Sequence, residues 1–276
     1  MDAKAIASQR QAIIDKYGEW TNHNIRLADG VDTIGDRVVP SGVKLRRFLQ
    51  LVADLAGTSS FEGLRVLDLA CLEGLYGIEM ALHGAEVVGI EGREENIEKA
   101  RFAKDVLNLD KVEFYQDDVR NLSGDKYGEF DLVLCIGIFY HLDAPDLFAF
   151  TENMAAVCRR WLLLDTHVGK DAQTQYNYRD RVYWGTRYPE EQTAWSSIGN
   201  PESLWLTRPS LYNLLADVGF TSVCECHLPL VPKYEIMRAN DEADRSTFVA
   251  TKGTPVTLKA TPLENDRPRD RWLERF

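Results

Sequence analysis

The run VLDLACLEGLYG, residues 66–77, begins as a buried strand and ends as the first turn of a helix. Val66, Leu67 and Leu69 form a near-continuous apolar stretch around Asp68, and Gly74 supplies a tight turn before the helical spacing that starts near Leu75. An acid at a strand end, followed by a glycine turn into a helix, sets backbone N–H groups beside a ligand.

The same texture repeats on either side. Candidate strands are LRVLDLA (64–70), AEVVGIE (85–91), KVEFYQ (111–116), FDLVLCIG (130–137) and RWLLLD (160–165), separated by helical segments near 75–83, 94–106 and 144–158. Continuous Val/Ile/Leu runs mark strands buried on both faces, and helices between them imply right-handed βαβ crossovers. The expected fold is therefore α/β, a doubly wound and mostly parallel sheet. After the helical PSLYNLLADVGF, the segments TSVCECHLP (221–229) and STFVATKG (246–253) read as an antiparallel pair at one sheet edge.

Two helices, over 4–18 and 43–55, precede the first strand, and on the second of them Arg46 and Arg47 read as a solvated face. Residues 170–208 break the pattern. They hold Tyr176, Tyr178, Tyr183, Trp184, Tyr188, Trp195 and Trp205 with little periodicity, and are expected to be irregular. This gives a helical cap (1–57), a cofactor-binding core (58–165), an aromatic-rich insertion (166–208), a C-terminal helix and strand pair (209–256) and a tail (257–276).

The strand ends carry the candidate chemistry. Glu91 closes the second strand about 20 residues past the glycine turn, where an acidic side chain accepts hydrogen bonds from a ribose diol. Asp117 and Asp118 follow the third strand, in reach of an adenine amino group, and the fourth ends in CIGIFYHL. Each acid alone is an ordinary turn residue. Together they describe a nucleoside pocket at the carboxyl ends of the strands.

In order and spacing, residues 60–165 resemble the class I S-adenosylmethionine-dependent methyltransferases, with the terminal strand pair extending the likeness to about 253. That family's first motif is D-x-G-x-G-x-G, against Asp68-Leu69-Ala70-Cys71-Leu72-Glu73-Gly74 here. The acid and the last glycine are kept. Leu72 is larger than glycine and narrows the backbone conformations open to the turn. The resemblance implies S-adenosylmethionine as cofactor, lined by Asp68, Ala70, Cys71 and Gly74. It implies Glu91 on the ribose hydroxyls, Asp118 and Val119 on the adenine, and the backbone of Ile136 and Gly137 along the methionine end. An antiparallel edge strand is also implied, for which 246–253 is the candidate. The G-x-G-x-x-G of a dinucleotide fold is absent after the first strand, as is the Walker G-x-x-x-x-G-K-[ST].

Methyl transfer from a sulfonium to a hydroxyl needs the acceptor in line and its proton removed. His141, in IFYHLDAP just past the fourth strand, is the candidate general base; the alternative is a helix cap or packing residue. Tyr140 beside it orients the acceptor or belongs to the core. Asp165 and His167 form a second polar pair near the end of the fifth strand. Two such residues are too few to make a metal-ligand set, and no metal is expected. In KYGEWTNHNI, Trp20, His23 and Asn24 are candidate substrate-facing residues of a lid, with Trp20 equally suited to anchoring the N-terminal helix. The insertion's aromatics suit an acceptor pocket or, equally, the packing of a small subdomain or a homodimer interface.

Bulk composition fits this reading. The 276 residues are 45% hydrophobic and 27% charged, ordinary for a globular chain. A formal net charge of -11 argues against a nucleic-acid partner, and so against the tRNA wobble-uridine transferases that FYHLDAPD also resembles. The five cysteines are scattered, without C-x-x-C spacing, which suits a reducing cytoplasm. No apolar run approaches a membrane span. The expected activity is transfer of a methyl group to a hydroxyl or amine of a small molecule, with a specialised metabolite as one expected kind. The degenerate first motif leaves a non-catalytic cofactor-binding protein as the reading from another class.

Overall fold

A computed structural model describes residues 2–35, 41–191, 197–226, 232–240 and 244–258. The chain divides into two compact units, Met1–Asp118 with Thr257–Phe276, and Val119–Val256.

The first unit opens with α1 (Ala3–Tyr17), capped by Asp2, whose Oδ1 accepts the Ala5 N–H at 2.7 Å. A small ribbon follows, β1 (Arg26–Ala28) against β2 (Val31–Asp32), and then α2 (Ser41–Ala56). Phe48, Leu49, Val52 and Leu55 of α2 are buried, and so are Lys44 and Arg47. The solvated face expected for Arg47 is thus corrected: only Arg46 of that pair is partly exposed. Next come β3 (Arg65–Leu69), α3 (Leu75–Leu82), β4 (Glu86–Glu91), α4 (Glu94–Val106) and β5 (Val112–Gln116). β3 pairs parallel with β4, Asp68 opposite Gly89, and β4 pairs parallel with β5, Glu91 opposite Gln116. These strands are Val/Ile/Leu-rich because helices cover both faces of such a sheet.

The second unit contains α5 (Gly124–Tyr127), β6 (Phe130–Ile136), α6 (Asp146–Val157), β7 (Cys158–His167), β8 (Thr174–Tyr178), β9 (Arg181–Pro189), β10 (Glu202–Leu206), α7 (Arg208–Asp217), β11 (Ser222–Cys226), α8 (Pro232–Ala239) and β12 (Arg245–Thr251). β6 and β7 run parallel; β12 is antiparallel to both β7 and β11. Within the first unit the sheet strands run in the order β3-β4-β5, and within the second in the order β11-β12-β7-β6. The fold is the α/β, mostly parallel sheet expected, and the one reversed strand, β12, lies next to the edge strand β11.

The insertion departs from expectation. Instead of an irregular loop it forms a three-stranded antiparallel sheet, β10-β9-β8. Tyr178 and Arg181 close the hairpin around Arg179 and Asp180, whose φ angles are +47° and +61°. Positive φ at both central residues is the geometry of the two-residue turn that matches strand twist, usually signalled by Asn-Gly or Asp-Gly. Arg-Asp gives no such signal. Tyr176, Tyr178 and Tyr183 pack their rings on Phe148 of α6, with centroids 5.0, 4.8 and 5.1 Å away. The ribbon β1–β2 and helix α8 were also not expected from the sequence. Trp195, residues 227–229 of one expected strand and residues 259–276 of the tail lie outside the described residues.

Candidate active site

In the first unit, the loop from β3 to α3 holds a backbone that its side chains resist. Ala70 and Leu72 have φ of +50°, and Gly74 has +86°. These are the three places where the D-x-G-x-G-x-G pattern has glycine. The left-handed region costs a non-glycine residue about 1–2 kcal/mol, so surrounding contacts must hold this loop. Leu72 therefore adopts, under strain, a conformation that glycine reaches freely. Gly74 itself is required, since a Cβ there would lie 2.9 Å from Ala100 Cβ and 3.0 Å from Phe114 Cζ.

Buried carboxylates supply the restraint. Asp68, 1% exposed, accepts the Gly77 N–H at 2.9 Å, tying the strand end to the first turn of α3. Burial pushes its carboxyl up to about 7; the Gly77 N–H opposes that rise, and the nearby Glu91 charge adds to it. Glu91 accepts the Leu72 N–H at 3.0 Å and the Arg93 N–H at 2.9 Å, so one side chain joins the strained loop to the start of α4. Burial raises its carboxyl too, against the backbone hydrogen bonds that favour the ion. A carboxylate has about four acceptor sites, which leaves Glu91 capacity for a ribose hydroxyl. The Cys71 thiol is buried and held well above its usual range by burial and by the Asp68 and Glu91 charges. The Cys71 N–H donates to Ile90 O at 3.0 Å, so this residue lines the loop through its backbone. Asp118, half-buried, follows β5; its N–H donates to the Asp117 carboxylate at 2.9 Å.

Glu73, which sequence reasoning passed over, is 0% exposed. Its Oε1 accepts the Thr21 N–H at 2.7 Å and the Thr21 hydroxyl at 3.1 Å; its Oε2 accepts the His23 N–H at 3.0 Å. Lys99 Nζ stands 3.7 Å from Oε1 and donates to Glu19 O at 2.7 Å. This loop residue thereby fastens the segment after α1. His23 Nδ1 accepts the Leu75 N–H at 3.1 Å, capping α3, and burial pushes the imidazole down to about 3. Trp20 is buried against Phe102, and the Asn24 amide bonds Gly35 O and Ile34 N–H. The structure places Trp20, His23 and Asn24 in the contacts that fasten this segment. Trp20 and His23 are buried, Asn24 is partly so, and all three engage the protein, because backbone donors in this segment and at the helix start need acceptors.

In the second unit, Val119 begins a 3-10 turn, and Gly137 follows β6 with φ +88° and its N–H on Asp165 O at 3.0 Å. Ile136, the last residue of β6, lies opposite Asp165 of β7. A second 3-10 turn, Phe139–His141, carries the candidate base. A cavity of about 460 Å³ is lined by Tyr140, His141, His167, Thr186, Tyr188 and Trp205 among others. The Trp205 indole stacks with His167 (4.6 Å, 16°) and with Tyr188 (4.2 Å, 15°). The insertion holds the turn by its carbonyls: Trp205 Nε1 donates to Tyr140 O at 2.9 Å, Asn200 Nδ2 to His141 O at 3.1 Å and Leu204 N to Leu142 O at 3.0 Å. His141 Nδ1 lies 2.9 Å from Glu190 Oε2.

Asp165 and His167 part company. His167 lines the cavity, whereas Asp165 is 4% exposed and bonds Arg245 Nε at 2.6 Å and the Thr247 hydroxyl at 3.0 Å. Arg245 Nη1 donates to the Tyr140 hydroxyl at 2.9 Å, so hydrogen bonds link Asp165 to the cavity lining through Arg245 and Tyr140. Among the described residues no group of three or more His, Cys, Asp or Glu is placed to hold a metal, and no helix is long and apolar enough to cross a membrane.

Residues 66–160 match the family model described as methyltransferase domain. The ubiquinone biosynthesis O-methyltransferase of Roseobacter denitrificans is 37% identical over 173 residues, 62% of this chain and 65% of that protein. That of Bordetella avium is 34% identical over 98 residues, 36% of this chain and 39% of that protein. The chain thus spans less than two thirds of these relatives' length. Among solved structures, the N-terminal domain of EvdMO1, crystallised in the presence of SAH and D-fucose, superposes with a TM-score of 0.70 at 24% identity, covering 92% of this chain and 98% of that one. Magnesium protoporphyrin IX methyltransferase from Synechocystis, with bound SAH, gives 0.54 at 18% identity, covering 78% and 84%. Residues 66–160 thus match a methyltransferase domain, and the likeness to the solved structures shows the shared α/β fold.

Proposed function

We propose that this chain, with its methyltransferase domain over residues 66–160, transfers the methyl group of S-adenosylmethionine to a hydroxyl of a small molecule. The observation that carries the proposal is the β3–α3 loop. Ala70 and Leu72 hold a left-handed backbone at positions where the D-x-G-x-G-x-G pattern has glycine, and Glu91 grips that loop from the end of β4. Strain of this kind persists where the backbone path matters to a ligand.

In this reading Glu91 takes the ribose hydroxyls and Asp118 with Val119 the adenine. The backbone of Ala70 and Cys71 borders the nucleoside, and that of Ile136 and Gly137 the methionine part. Asp68 and Gly74 hold the loop that does this. S-adenosylmethionine supplies an electrophilic methyl group on a sulfonium. The acceptor occupies the cavity of the second unit, where the Trp205, Tyr188 and His167 rings offer flat apolar surface. His141 removes the hydroxyl proton as the oxygen takes the methyl group. Oxygen as acceptor is supported by relatives that are O-methyltransferases, and a neighbour crystallised with D-fucose makes a sugar hydroxyl one candidate. A small acceptor rather than tRNA suits the acidic chain, and the three buried free thiols suit a cytoplasmic setting.

The test is transfer of a labelled methyl group from S-adenosylmethionine to a panel including D-fucose and catechol. Label on one hydroxyl class, lost in Glu91→Ala and His141→Ala, supports the proposal. Tight cofactor binding without transfer to any acceptor would favour a non-catalytic role.

A further inference from the structure

We infer that Glu190 is a positioning residue for this reaction, setting the tautomer and orientation of His141 from the end of β9. The inference rests on the reading of His141 as the base. Both carboxylate oxygens reach His141 Nδ1, at 2.9 and 3.1 Å. The Glu190 side chain is 2% exposed and that of His141 is 17% exposed. Burial alone would raise the Glu190 carboxyl, but the hydrogen bond and charge of His141, with the Ser197 N–H, hold it below its ordinary range. Glu190 is therefore ionised at neutral pH and can only accept. The hydrogen between the pair belongs to Nδ1, and the lone pair of the neutral imidazole is on Nε2.

The pair sits in a hydrogen-bonded frame. Glu190 N donates to Pro201 O at 2.8 Å, which fixes the end of β9 against the residue preceding β10. The three carbonyls of the Tyr140–Leu142 turn accept from Asn200, Leu204 and Trp205. Carboxylate and imidazole thus stand on two segments bonded to the same stretch of insertion. A carboxylate on one ring nitrogen directs the other to its task and stabilises the imidazolium once formed. In the transfer step Nε2 takes the hydroxyl proton as the acceptor oxygen bonds the methyl carbon. The carbon–sulfur electron pair stays on sulfur, and the proton passes from Nε2 to water afterwards.

The test is a long-range proton–nitrogen spectrum of the ¹⁵N-histidine-labelled full chain, with His141 assigned through His141→Gln. The wild-type neutral ring is expected as the Nδ1–H tautomer, Glu190→Ala as a mixture with much Nε2–H, and Glu190→Asp as a partial return. A packing defect alone would not move this signature selectively. With D-fucose and catechol as acceptors, Glu190→Ala should lose about 10-fold or more in turnover, His141→Ala about 10²-fold, and the double variant no more than His141→Ala. An unchanged tautomer in Glu190→Ala overturns the inference. Wild-type turnover in His141→Ala would instead overturn the reading of His141 as the base.

Discussion

Glu73 Oε2 accepts the backbone N–H of His23 at 3.0 Å, and His23 Nδ1 accepts the N–H of Leu75, two residues beyond Glu73 in the same turn. The segment after α1 and the loop after β3 are thus bonded in both directions. This reciprocity explains how Ala70 and Leu72 are kept at positive φ, since the loop cannot relax without releasing the segment.

Glu73→Ala should open that connection. It strands the Thr21 and His23 N–H groups and leaves Lys99 without its carboxylate, a type of loss that costs about 3–5 kcal/mol. A lower urea midpoint and faster proteolysis near Thr21 are expected. An unchanged midpoint would show that the segment does not depend on Glu73.

His23 gives the latch a pH dependence. Its folded pKa, about 3, lies below the ordinary 6.5 because the ring is buried neutral. The unfolded chain binds the extra proton between those values. The contribution of His23 is therefore whole above pH 6.5 and is lost as pH falls towards 3. Stability measured by denaturant midpoint should fall across that window less steeply in His23→Gln than in wild type. Parallel curves would contradict the buried neutral ring.

Ala70→Gly tests the strain directly. An Ala→Gly change in a helix interior costs about 1 kcal/mol, but at φ +50° relief of the left-handed strain offsets the added freedom of the unfolded chain. Stability should be unchanged or up to about 1 kcal/mol higher by chemical denaturation. A loss of the helical size would mean the loop carries no strain there. Gly74→Ala should do the reverse and destabilise, because its Cβ would press on Ala100 and Phe114.

The sheet was legible because its strands are apolar on both faces and separated by helical periods; every expected core strand formed. Asp68, Gly74 and Glu91 were legible as strand-end chemistry on a spacing argument. His141 was legible as a base candidate, but Glu190 was not. It sits inside the insertion, between β9 and β10, where aromatic and polar residues hid a three-stranded sheet, and no local pattern ties it to residue 141. Glu73 was missed for a related reason, since an acid inside a turn gives no sign of the distant backbone it will bond. The hydrogen bonds of His23 and Asn24 were not legible, because polar residues near a helix end serve equally as caps and ligands in a sequence.

The most direct measurement is calorimetric titration of the protein with S-adenosylmethionine and, separately, with NAD, in wild type and Glu91→Ala. Micromolar binding of S-adenosylmethionine alone, weakened at least tenfold by Glu91→Ala, is the result expected. Failure of the wild-type protein to bind S-adenosylmethionine, or an affinity indifferent to Glu91, would contradict the site described at the β3–α3 loop.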